Sequence, residues 1–144
     1  MKVLPHVMRN INEFNIPTNP LGYEILYFGV NLILMFDYRP GFDVEVTNSY
    51  KEIEVLIMSR KDVPTWKESN DSEPELTFYY SKSGIKINDV FKPTKSDAYA
   101  FVLNNRESSL SKEVKTVEVT LIHNWQQEVK ESQLKDRLKK QQIT

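Results

Sequence analysis

The sequence predicts an all-β fold, an antiparallel β-sandwich of about eight strands with a short C-terminal helix. Residues 42–46 (Phe-Asp-Val-Glu-Val) alternate apolar and polar side chains with the period of two that a half-buried strand requires. The run Tyr99-Ala100-Phe101-Val102-Leu103, the polar connection Asn104-Asn105-Arg106 and the apolar stretch 114–122 read as two strands and their link. Before these, short runs rich in β-branched and aromatic residues recur at regular spacing with almost no helical periodicity, as in a sandwich.

Each element has a local reason. Pro5, Pro17 and Pro20 fall in the first 20 residues, and proline withholds an amide donor and biases its predecessor to extended geometry. Residues 1–13 are therefore expected as an extended lead-in. A short first strand follows, where Phe14 and Ile16 alternate with Glu13 and Asn15. Residues 23–28 form the next strand and end at Gly29, and residues 32–36, which lack polar alternation, predict a strand buried on both faces. Phe42, Val44 and Val46 should point inward, as should Ile53, Val55 and Ile57.

Residues 59–76 break the pattern. Pro64 and Pro74 bracket Trp66 and the acidic cluster Glu68, Asp71, Glu73 and Glu75, with one helical turn expected over 62–67. A connection this long in a compact domain is often functional. Strands resume at 76–80, 85–91, 98–103 and 114–122, with a turn at Ser83-Gly84. The sandwich domain is thus expected over 14–124. Residues 126–144 lack Gly and Pro and are rich in Gln, Glu, Lys and Leu, all good helix formers, so 125–144 is expected as a helical tail. Trp125 and Val129 share one side of that helix. Leu134 and Leu138 fall roughly opposite, at about 100° per residue, and are expected to contact a second copy of the chain or to lie on a solvated end.

At 144 residues the chain fits one domain that needs no disulfide or metal staple. Nineteen basic and 20 acidic residues give a net charge of −1, so no basic footprint points to nucleic acid. The absence of cysteine excludes disulfides, thiolate catalysis and cysteine-ligated zinc. No apolar core of signal-peptide length opens the chain, and no run is long enough to span a bilayer. These features predict a soluble chain and lean toward the cytoplasm.

Residues 14–122 resemble a Golgi-dynamics (GOLD) type β-sandwich, including its prokaryotic relatives. The resemblance rests on Phe14-Asn15-Ile16-Pro17, on Gly22-Tyr23-Glu24-Ile25-Leu26-Tyr27-Phe28, and on Ile53 to Met58 followed by a Trp loop. Its most specific part is Tyr99 to Leu103, Asn104-Asn105-Arg106-Glu107-Ser108-Ser109 and Ser111-Lys112-Glu113-Val114. Asn104 stands where that family often has Asp, and Ser96-Asp97-Ala98 replaces a usual Gly, which marks a distant relative. The resemblance implies a protein–protein module and carries no catalytic residue set.

No chemistry-bearing motif competes with this reading. His6 and His123 are too far apart for a local metal motif, and the acidic loop 68–75 lacks calcium-loop spacing. No metal, cofactor or catalytic residue is expected. Gly22, Gly29, Gly41 and Gly84 are isolated turn residues rather than a phosphate loop. Asn105, Arg106, Ser108 and Ser109 are expected to hold a loop through side-chain-to-backbone bonds, and Lys135, Arg137, Lys139 and Lys140 to be solvated. The expected role is a non-enzymatic module that binds another macromolecule, a protein first. The alternative is a carbohydrate- or lipid-binding module using exposed aromatics of the 59–80 region. The candidate partner contacts are Trp66, Tyr79, Tyr80, Leu134 and Leu138.

Overall fold

Among the described residues, eight strands and one short helix follow in the order β1 (Lys2–Ile16), β2 (Tyr23–Val30), β3 (Gly41–Val46), β4 (Ile53–Ser59), a 3-10 turn (Arg60–Asp62) running into α1 (Val63–Glu68), β5 (Tyr80–Gly84), β6 (Lys86–Val90), β7 (Asp97–Asn104) and β8 (Lys115–Val129). This is a computed structural model that describes residues 2–17, 22–68, 76–106 and 114–129, with side chains from residue 5 to residue 126. No helix among the described residues is long and apolar enough to cross a membrane.

The strands form two four-stranded sheets, ordered β1-β8-β3-β6 and β2-β7-β4-β5. All pairings are antiparallel. Every successive pair of strands except β4–β5 crosses between the sheets, in the doubled Greek-key order of a jelly roll. β1 pairs with β8 without a bulge, from Lys2 opposite Val129 to Ile16 opposite Lys115.

Period-two patterning builds the interior. Phe42, Val44 and Val46 from β3 and Val117, Val119 and Leu121 from β8 meet Ile53, Val55 and Ile57 from β4 and Tyr99, Phe101 and Leu103 from β7. Burying one such side chain is worth about 1.5–3 kcal/mol. β4 and β7 are apolar on both faces because the second sheet is covered outside too. There Leu56, Met58, Ala100 and Val102 pack under Val63 and Trp66 of α1.

The structure departs from the sequence expectations at four places. Residues 2–13 are not an extended lead-in but most of β1, an edge strand, where a proline such as Pro5 is tolerated. Residues 125–129 continue β8 instead of opening a helix. Helix propensity is a weak prior, and here each of these residues has a partner on β1. Leu134 and Leu138 lie outside the described residues. Residues 32–36 turn instead of forming a strand. The carbonyl of Asn31 accepts from Leu34 and Met35, and its side chain accepts from the amide of Ile33 at 3.0 Å. The short helix that the structure does describe is α1. The strand expected over 76–80 does not form there: residues 76–79 are irregular and β5 begins at Tyr80, so Ser83 and Gly84 end that strand and the turn falls at Ile85.

Candidate functional site

The expected aromatic surface of the 59–80 region is not assembled. Trp66 is 4% exposed, because the apolar outer face of β4 and β7 needs a cover and its indole supplies one. Its ring meets Tyr23 edge-on at 5.3 Å. Tyr79 and Tyr80 are half-buried against the main core, Tyr79 edge-on to Tyr99 and Tyr80 edge-on to Phe42. The Tyr80 hydroxyl donates to Asp89 at 2.9 Å. Glu68 ends α1 and residues 69–75 lie outside the described residues. Among the described residues no three carboxylates or histidines gather as metal ligands.

The Asn104-Asn105-Arg106 connection pins three parts of the fold. The Asn105 side-chain amide donates to the carbonyls of Ile16 and Pro17 at 2.9 and 3.1 Å, and its backbone amide donates to Gly22 at 2.6 Å. It therefore fastens the β1–β2 corner to the end of β7. The Asn104 side chain donates to Glu54 and accepts from the Arg106 backbone amide. Arg106 lays its guanidinium 3.8 Å above the Trp66 ring and donates to the carbonyls of Trp66 and Lys67. Those are C-terminal carbonyls of α1, which a cation satisfies well. Burial lowers the Arg106 pKa.

The feature that the sequence did not announce is the open flank of the sandwich. There β1, an edge of the first sheet, faces β2, an edge of the second. A cleft of about 280 Å³ opens between them, lined by Asn10, Asn12, Leu26, Tyr27, Leu121 and His123 among others. His123 Nδ1 shares a hydrogen bond with the hydroxyl of Tyr38, a residue only 2% exposed. Burial raises the Tyr38 pKa and lowers that of His123. Further out, His6 stacks on Trp125 at 5.4 Å with 9° between the ring planes. The two outer ends of β1 and β8 form a ribbon beyond β3, whose ladder with β8 stops at Ile122.

β1 is also the longest open edge. It runs 15 residues, against eight for β2 and five each for β5 and β6, the other edge strands. Among the described residues it pairs with β8 alone. Its outward side chains include Val7, 62% exposed, and Ile11, 72% exposed. Natural edges are ordinarily kept short, bulged or densely charged. This one is long and unbulged, and across 5–15 its charges are Arg9 and Glu13. The signal was present in the sequence as the alternation Val7, Arg9, Ile11, Glu13, hidden by the proline and the asparagines around it.

No protein-family model matches the chain, and no curated protein does. Among solved structures, it is similar to a chain from a structure described as "Bacillus endospore appendages form a novel family of disulfide-linked pili". The TM-score is 0.54 at 7% sequence identity, over 89% of this chain and 93% of that one. At that identity the likeness is one of fold alone.

Proposed function

We propose that this chain is a non-enzymatic protein-interaction module that takes up an extended segment of a partner along β1. The single observation behind this reading is the long, unbulged edge of β1, which offers unused backbone donors and acceptors to an added strand. The GOLD resemblance, which implies a protein–protein module, fits it. So does the fold neighbour, which comes from a structure described as disulfide-linked pili.

The test is selection of binders from a displayed peptide library, with hydrogen exchange mapped on the chain in their presence. Selected peptides should be extended and alternating and should protect β1 amides. Protection confined to the β5 or β6 edges, or no binders at all, would overturn the reading.

A second reading, a carbohydrate-binding module, moves from the 59–80 aromatics to the cleft. Asn10, Asn12 and the lip residue Tyr27 there combine amide hydrogen bonding with an aromatic face. A glycan panel read by Trp125 fluorescence tests it, and no shift across the panel would remove it.

A further inference from the structure

We infer that the segment added to β1 is β1 of a second copy of this chain, in antiparallel register about a two-fold axis at Ile11. This rests on the edge reading above and names its partner.

The strand is self-complementary in that register. Pairing β1 with itself places residues equidistant from Ile11 opposite one another, so Arg9 faces Glu13 of the second copy and Glu13 faces its Arg9. Ile11 meets Ile11 at the axis, Asn10 meets Asn12, and Met8 meets Phe14, a sulfur–aromatic pair. Pro5 and Pro17, which cannot donate, are equidistant from Ile11 and close the paired stretch at both ends.

Other registers lose this match. Centring between two residues puts outward side chains opposite inward ones, and centring on Asn10 or Asn12 sets Arg9 against Ile11 or Asn15 and Glu13 against Val7 or Ile11, so neither charge meets its opposite. Centring on Arg9 sets arginine against arginine, and centring on Glu13 sets glutamate against glutamate. Like charges directly opposite each other destabilise a sheet.

The remainder of the first sheet reinforces the choice. Glu13 lies opposite Glu118 of β8, and Glu118 lies opposite Glu45 of β3, with Lys86 of β6 at the far end. Three carboxylates therefore share one row that has a cation on one side only. Among the described residues neither Arg9 nor Glu13 has an ion-pair partner. An Arg9 from the second copy completes the row on the open side. The two-fold keeps both second sheets on the same face, so the two clefts meet across the junction. The interface is isologous, as in most soluble homodimers.

The test uses the full chain, which has no cysteine of its own. Ile11→Cys brings two thiols opposite each other at a Cα separation of about 4.5–5.5 Å, within disulfide reach. Mild oxidation should lock a covalent dimer, while Val7→Cys should not cross-link, since Val7 faces Asn15 of the second copy. By light scattering the wild type should weigh twice 16.9 kDa. Arg9→Glu and Glu13→Arg should each weaken the dimer about tenfold or more, because the axis repeats every change twice. The double variant R9E/E13R should restore it. All four positions are on the exposed side of the strand, and circular dichroism checks that each variant is folded.

A monomeric wild type at the highest attainable concentration overturns the inference and leaves the module reading to the peptide selection. So does a dimer that Ile11→Cys fails to lock and charge reversal fails to weaken.

Discussion

Replacing Asn105 with alanine tests whether the polar connection after β7 is a structural pin. The residue is 3% exposed, and its side-chain amide donates to Ile16 and Pro17. Truncation removes both bonds. Pro17 is exposed and its carbonyl can take water, but Ile16 is buried and its carbonyl loses the donor. One lost net hydrogen bond is worth about 0.5–1.5 kcal/mol, and a buried acceptor left unpaired costs about 1–3 kcal/mol. The expected loss is about 2–3 kcal/mol, a shift of about 1–1.5 M in the urea midpoint with an unchanged slope. Asn105→Asp should be worse than alanine at neutral pH, since it sets a carboxylate oxygen against two carbonyls, and should recover partly on acidification. An alanine variant within about 0.5 kcal/mol of the wild type would refute the assignment of this corner to Asn105.

Other outcomes follow from the same geometry. Burial lowers the His123 pKa below its ordinary 6.5, so the unfolded chain binds a proton that the folded chain resists. That contribution to stability is fully present above the unfolded value and is lost as the pH falls toward the folded one. His123→Phe should flatten the pH dependence in urea titrations across that window, from a lower baseline because Tyr38 loses its hydrogen-bond partner. Arg106→Ala should cost about 1–2 kcal/mol, through two lost carbonyl contacts and the stacked guanidinium, and should red-shift Trp66 emission. Arg106→Lys should not rescue it, since an ammonium lacks the planar fork. Deleting residues 130–144 should leave the thermal midpoint unchanged if the strands that run through Val129 hold the sandwich by themselves. A collapse of the fold on that deletion would show that the tail belongs to the core.

The sequence by itself determined the sandwich, and did so wherever one face of a strand is dry and the other wet. Phe42, Val44 and Val46 are legible from alternation alone, and so are Ile53, Val55 and Ile57, because burial on one face imposes the period directly. Leu56 and Met58 already broke that alternation, and the unbroken run at 99–103 did so too. Together they signalled a covered outer face that only the docking of Trp66 explained. The placement of Trp66 inside, and of Tyr79 and Tyr80 against the core, was decided by which sheet face lay bare, a quantity that no local window contains. The ends of β1 and β8 were decided by tertiary structure as well. Their residues carry weak or contrary propensities, Pro5 on one strand and glutamines on the other, and are extended because each strand holds the other over 15 rungs. The open flank follows from that pairing, since the order of strands in a sheet fixes which edge is left without a neighbour.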